Sequence, residues 1–177
     1  MIINLLPVGK ISSELIEEIA NFIQERIPVD VKIKDKLILG VKMDETRGQY
    51  NAIHILKILL NFFEPDKLLG VCDVDIFVPG MNFVFGVVNG IGGEVGIVSI
   101  TRLRQEFYGL PEDLEIFKSR VRKEVLHELG HLIGLSHCPD PSCVMHFSNS
   151  LMDTDYKKDE LCDICNEKMK QILKYLY

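Results

Sequence analysis

Apolar residues recur along this chain with two periods, and the switches between them mark out the elements. Residues 2–8 (Ile2-Ile3-Asn4-Leu5-Leu6-Pro7-Val8) are apolar enough for a buried strand, with Pro7 and Gly9 marking its end. Ser12-Ser13 are placed to cap a helix in which Leu15, Ile16, Ile19, Phe22 and Ile23 repeat at helical spacing, and Pro28 closes it. Residues 29–39 alternate through Val29, Val31 and Ile33 as a second strand region, and residues 44–48 read as a loop. A second amphipathic helix is predicted over residues 51–63 from Ile55, Leu56, Leu59, Leu60 and Phe63. The most strand-like run is 68–78, which would set Asp73 and Asp75 on one face, followed by a Pro79-Gly80 turn. Two further strands, 82–88 and 94–103, are joined by the glycine-rich Asn89-Gly90-Ile91-Gly92-Gly93. A long helix over 114–135 carries the apolar stripe Phe117, Val121, Val125, Leu129 and Leu132. A last helix, 164–176, repeats Ile164, Met169, Ile172, Leu173 and Leu176.

Strands alternating with helices, then a hairpin, predict an α/β (α+β) fold: a mixed sheet with helices packed on it. No internal repeat, low-complexity segment or Pro/Gly/Ser-rich linker divides the 177 residues, so a single domain over 1–177 is expected. A hydrophobic fraction of 47% with 26% charged residues is that of a soluble globular protein with a sizeable core. The formal charge of −6 argues against general binding to nucleic acid or to an anionic membrane, which need a positive footprint. The first residues lack a basic leader and a long apolar run, so neither signal peptide nor membrane span is expected.

The chemistry gathers in His127-Glu128-Leu129-Gly130-His131-Leu132-Ile133-Gly134-Leu135-Ser136-His137. With 3.6 residues per helical turn, His127 and His131 share a face and reach one metal ion. Glu128, beside the first ligand, can act on a metal-bound water without ligating the metal. Gly134 can take a positive φ, end the helix and turn the chain so that His137 becomes the third ligand. Three neutral nitrogens leave zinc an open position, the arrangement of a catalytic site. The plain alternative makes these residues ordinary polar positions on a surface helix, with Glu128 a solvated carboxylate. The added glycine and third histidine at the required spacing make that coincidence rare.

Of five cysteines, four cluster as Cys138-x₄-Cys143 and Cys162-x-x-Cys165. Two short-spaced pairs are what a closed, structural four-sulfur zinc site requires. Disulfides or scattered buried thiols are the alternatives, and in a chain without an export signal zinc is favoured, with the cytoplasm as expected location. Cys72 reads as a small buried hydrophobe. Because His137 and Cys138 are adjacent, the two centres would share one peptide unit.

Together with Met145, Arg47-Gly48-Gln49-Tyr50, residues 78–86, Lys123-Glu124 and Phe147-Ser148, these motifs resemble the archaemetzincins, a family of the metzincin clan of zinc peptidases. The resemblance covers nearly the whole chain. It implies a metzincin (zincin-like) fold: a twisted mixed sheet with one antiparallel edge strand, an active-site helix, and a zinc-stapled helical lower part. The upper part would span about 1–134 and the lower about 135–177, with the cleft between them. It further implies two zinc ions per chain, one catalytic (His127, His131, His137) and one structural (Cys138, Cys143, Cys162, Cys165). Met145 would be the methionine beneath the catalytic zinc. Asn82, Phe83, Val84 and Phe85 would lie in the edge strand on which a peptide adds. The activity implied is that of a zinc metallopeptidase with Glu128 as general base, aminopeptidase-like trimming being one form it can take. Its partner would be a peptide or protein substrate, and the chain is expected to be a monomer. A reading from a different class is a zinc-stabilised peptide- or protein-binding module that keeps the fold and does not hydrolyse. Asp73, Asp75 and His146 are left outside the mechanism.

Overall fold

The apolar runs become strands and the 3.6-period stretches become helices. The computed structural model describes residues 1–62, 64 and 66–176. β1 (Ile2–Val8) leads through α1 (Ser13–Arg26) into β2 (Asp30–Ile33), and β3 (Tyr50–Asn51) precedes α2 (Ala52–Leu59). β4 (Lys67–Cys72), β5 (Ile76–Phe77), β6 (Gly86–Val88) and β7 (Val95–Ser99) follow. The chain then passes through α3 (Leu114–Ile133), α4 (Leu151–Tyr156) and α5 (Asp163–Leu176). Ser12 caps α1 as expected, its Oγ accepting the Leu15 N–H at 3.2 Å.

The main sheet has the order β2-β1-β4-β7-β6. Its first three pairings are parallel, and β6 runs antiparallel to β7 at the edge. Alternation along the strands splits the buried residues between two faces. Ile3, Leu5, Leu69, Val71 and Val98 pack with α1 and α3, whereas Leu6, Val8, Leu68, Val95 and Ile97 pack with α2. The first cluster continues past the sheet through Leu129 and Leu132 to Cys138, Met145, Met169 and Leu173. One hydrophobic core therefore joins the sheet to the cysteine-rich end. Among the described residues, no helix is long and apolar enough to cross a membrane.

Several elements are shorter than the apolar pattern predicts. The expected strand over 29–39 is only Asp30–Ile33; beyond the charged Lys34-Asp35-Lys36 the chain keeps to β1 through a bridge at Leu37. The helix over 51–63 ends as a 3₁₀ turn at Leu60–Phe62, and Phe63 lies outside the described residues, as does Tyr177. The run 68–78 breaks into β4 and β5, because Asp73 turns to Arg104 (2.8 Å) and Asp75 to Arg102 (2.6 Å). These two carboxylates are structural. The run 94–103 is strand only to Ser99, then a 3₁₀ turn. The strand over 82–88 is reduced to Gly86–Val88, so Asn82, Phe83, Val84 and Phe85 are not strand residues. The Asn82 carbonyl is taken by Arg47 and Gln49 at 2.9 and 3.0 Å, and the Val84 N–H goes to the Ile76 carbonyl at 3.1 Å.

Leu132 is fully buried between α3 and the sheet. Leu132→Ala is expected to lower stability by about 2–5 kcal/mol. A denaturant titration should show a reduced midpoint at unchanged slope.

Candidate metal centre

α3 starts at a side-chain cap, the Asp113 carboxylate accepting the Ile116 N–H at 3.0 Å, and runs unbroken for 20 residues. His127 and His131 therefore stand one turn apart, with their Nε2 atoms 3.1 Å from each other. At Gly134 φ is +127°, a value that L side chains rarely adopt, and the Leu135 N–H turns back to the Gly130 carbonyl at 2.8 Å. That reversal brings the His137 Nε2 to 3.2 Å from the His131 Nε2.

Each helical imidazole is oriented from behind. His127 Nδ1–H donates to the Val144 carbonyl and His131 Nδ1–H to the Leu135 carbonyl, both at 2.8 Å. A neutral ring that donates from Nδ1 leaves the Nε2 lone pair free for a metal. Nitrogens bound tetrahedrally to zinc at their usual bond length sit about 3.3 Å apart, close to the separations here, so the donor set fits zinc. Burial holds the pKa of His127 well below 6.5, helped by the positive charge of Lys157, and His131 and His137 are lowered for the same main reason. All three are ready to bind as neutral ligands.

The Glu128 carboxyl is buried beside them, and its Oε2 has no hydrogen-bond partner. Desolvation, reinforced by the negative charge of Glu124, pushes its pKa well above 4.5. Glu128, the three histidines and the apolar Phe83, Val84, Val88 and Phe147 line one cleft of about 300 Å³ between β6 and α3. Ser148 also lines it with a buried, unpartnered Oγ.

Behind this cleft the four cysteines converge, with sulfurs within 4.8 Å of one another and Cys138 and Cys162 Sγ 3.8 Å apart. Four thiolates around zinc at the usual Zn–S length lie about 3.8 Å from each other, so this set fits too. The Cys162 N–H points at the Cys143 sulfur at 3.4 Å. Burial raises the thiol pKa of Cys165 and Cys143. At Cys162 burial also acts upward, but the Cys165 N–H and the neighbouring thiols outweigh it and the net shift is downward. Cys72 is wholly buried in β4 and its thiol is pushed up to about 12 by desolvation, as befits an inert core residue.

The two centres are tied through residues 144–146. Cys138 donates its N–H to the Met145 carbonyl at 3.0 Å, and its own carbonyl meets the His146 Nδ1 at 2.8 Å. Met145 is fully buried, with its sulfur where any side chain at Gly130 would stand. The glycine inside the motif is thus required by the close approach of this methionine. His146, a spare imidazole in the sequence, is a backbone tie.

The structure brings together the three histidines and the four cysteines and sets Met145 beneath Gly130. It does not place Asn82 or Phe85 on a free strand edge. Sequence reasoning missed the Gly92 N–H on the His131 carbonyl (2.8 Å), which fastens the glycine-rich hairpin to the ligand helix. It also missed α4, although Ser150-x-x-Asp153 is a capping-box pattern: the Asp153 carboxylate accepts the Ser150 N–H and hydroxyl, both at 3.0 Å. Arg47 and Gln49 hold the cleft's upper rim, Arg47 donating to the Met81 and Asn82 carbonyls (3.0 and 2.9 Å). Nothing in the local pattern marks Lys157, whose side chain is entirely buried against Glu124.

Comparison with known proteins converges on one family. The family model for peptidase family M54 matches residues 7–171. The archaemetzincin of Pyrococcus horikoshii is 44% identical over 151 residues, 80% of either chain, and that of Pyrococcus furiosus 38% identical over 95% of this chain and 92% of its own. The crystal structure of archaemetzincin from Archaeoglobus fulgidus, complexed with malonate, aligns with a TM-score of 0.82 at 36% identity, covering 95% of this chain and 99% of that one. That of Methanopyrus kandleri archaemetzincin aligns with a TM-score of 0.85 at 36% identity, covering 98% and 96%. With the donor sets, the fold and these likenesses in agreement, the chain belongs to peptidase family M54, the archaemetzincin family of zinc metallopeptidases.

Proposed function

We propose that this chain hydrolyses peptide bonds with Glu128 as general base, holding a catalytic zinc at His127, His131 and His137 and a structural zinc at Cys138, Cys143, Cys162 and Cys165. The observation that carries this reading is the buried Glu128 carboxyl, with a free Oε2, in the same cleft as the three imidazoles. Zinc bound there supplies a Lewis acid for the scissile carbonyl and lowers the pKa of a coordinated water. Glu128, buried beside the imidazoles with its pKa raised by desolvation, would take a proton from that water and hand it to the leaving amine. The sulfur set has no open position and holds the chain end that bears His137. Four reduced thiols suit the cytoplasm.

The segment a peptide joins is Gly86–Val88 rather than 82–85. Ser99 donates its N–H to the Phe85 carbonyl (2.8 Å) and Asn89 its N–H to the Val95 carbonyl (2.9 Å), so the odd residues face β7. By the alternation of antiparallel ladders, Gly86 and Val88 turn their N–H and C=O to the open edge, where an extended substrate can pair. Gly86 also makes room for the base, since a Cβ there would sit 2.5 Å from the Glu128 Cγ.

The decisive experiment incubates the zinc-loaded protein with a diverse peptide mixture and reads the products by mass spectrometry, beside Glu128→Gln. Cleavage is expected from the wild type, reduced at least about a hundredfold in Glu128→Gln at equal zinc content. The fragment ends distinguish trimming from internal cutting. No cleavage by either protein, with both centres zinc-filled, favours the binding module.

Because His137 and Cys138 share a peptide unit, Cys138→Ser is expected to lose zinc from both centres. Metal analysis after gel filtration measures it, and two zincs per chain in that variant would contradict the coupling.

The histidine pKa values set a pH window for the protein stripped of its histidine-bound metal. Their folded values lie below 6.5, so on acidification the unfolded chain takes up these protons first. Stability from this source is complete above about pH 6.5 and declines below it. Glu128, raised above 4.5, acts in the opposite sense with one proton against three. The urea midpoint is therefore expected to be lower near pH 5.5 than near pH 7.5.

A further inference from the structure

We propose that the buried Lys157–Glu124 pair positions the metal ligand His127, acting through residues 144–146; the proposal rests on the three-histidine centre described above. The Lys157 side chain is wholly enclosed, and its Nζ lies 3.0 Å from the Glu124 Oε1. The Thr154 hydroxyl donates to that same oxygen at 3.0 Å, and the Lys157 Nζ also donates to the His146 carbonyl at 3.3 Å. The Lys157 N–H closes α4 on the Asp153 carbonyl at 3.2 Å. One ammonium thus gathers α3, the end of α4 and the segment beneath the metal centre.

Stability alone does not account for such a group. Enclosing a lysine and a glutamate carries a desolvation cost that apolar residues of similar size avoid, and such replacements commonly leave a fold as stable or more so. What the ammonium adds is direction, since its donors must be met at fixed places. The place that matters is the His146 carbonyl. Two residues earlier, the Val144 carbonyl receives the His127 Nδ1–H at 2.8 Å and so sets the plane of that ring. The segment between is fastened from the cysteine side by the Cys138–Met145 and Cys138–His146 contacts. From the helix side Lys157 fastens it to Glu124, one turn before Glu128 on α3. The Val144 N–H is held by the Glu160 carbonyl at 3.0 Å. Without the pair, the segment that carries the Val144 carbonyl loses its tie to α3, and the His127 ring is less firmly oriented.

The variant that tests this is Lys157→Met combined with Glu124→Gln, which leaves no unmatched buried charge and keeps an acceptor for Thr154. Zinc affinity at the histidine centre is measured by competition with a chromogenic chelator. The visible spectrum of cobalt(II) is recorded in that centre with zinc retained at the cysteines. The double variant is expected to keep its circular dichroism and its cysteine-bound zinc. It should bind zinc at the histidines about tenfold or more weakly and show a weakened, altered cobalt band. A pair that merely stabilised the fold would move the thermal midpoint and leave the cobalt band as it was. Wild-type affinity and spectrum in the folded double variant overturn the proposal. Thr154→Val, which removes only the hydroxyl holding Glu124, is expected to shift both readouts the same way by about threefold. Should the double variant not fold, an unchanged Thr154→Val protein overturns the proposal. If the wild type itself takes no metal at the histidines, the metal-centre reading falls first and this inference with it.

Discussion

Burying ionisable side chains along one helix is the constraint on which the rest of this structure depends. Arg120, Lys123, Glu124, His127, Glu128 and His131 all lie inside, on a helix whose apolar stripe already faces the sheet. Leaving such a group without a partner costs about 1–3 kcal/mol or more, so the surrounding chain is arranged to meet them. Arg120 is held by both carboxylate oxygens of Asp155 at 2.7 Å, and Lys123 by the Asp155 carbonyl at 3.1 Å. Glu124 is met by Lys157 and Thr154, and the histidines by two backbone carbonyls. Glu128 alone among them keeps an oxygen unmatched, which suits its proposed role as general base.

These partners come mainly from residues 135–157, and this explains why the cysteine cluster belongs to the same machine. The segment that receives His127 and lies under Gly130 has little regular structure of its own; α4 is only six residues long. Its shape is held by the Cys138 contacts to Met145 and His146 on one side and by the buried ion pair on the other. A zinc held by the four sulfurs, as proposed, would anchor the chain at Cys138, one peptide bond from His137, with no open position of its own. Geometry at the histidines is thus set from outside the helix that carries two of them.

The periodic parts of the fold were legible in the sequence, and so were both donor sets. The helix 114–135 and the buried strands follow from the spacing of apolar residues, and HExxHxxGxxH with the paired cysteines from ligand geometry. What stayed hidden was decided by partners distant in sequence. Residues 82–85 look like a strand, but the Asn82 carbonyl belongs to Arg47 and Gln49, which lie 35 and 33 residues away. The run 68–78 looks continuous, yet Asp73 and Asp75 leave the ladder for arginines on a later turn. Lys157 gives no local sign at all, since a lysine ordinarily faces solvent. Ser150-x-x-Asp153, by contrast, is a local signal that could have revealed α4.

The short edge strand follows from the same competition for partners, and it bears directly on the cleft. A strand over the whole of 82–88 would present a long exposed ladder, open to pairing with any extended chain. With the Asn82 carbonyl committed to Arg47 and Gln49 and the Val84 N–H to Ile76, the free edge shrinks to the backbone groups of Gly86 and Val88. Gly86 is then asked for two things at once. Its backbone faces the open edge while the space of its missing side chain is filled by the Glu128 carboxylate. A peptide paired at Gly86, as proposed, would be brought over Glu128, because the same residue defines both positions. Shortening the edge would limit the registers open to such a peptide to those that lie over Glu128.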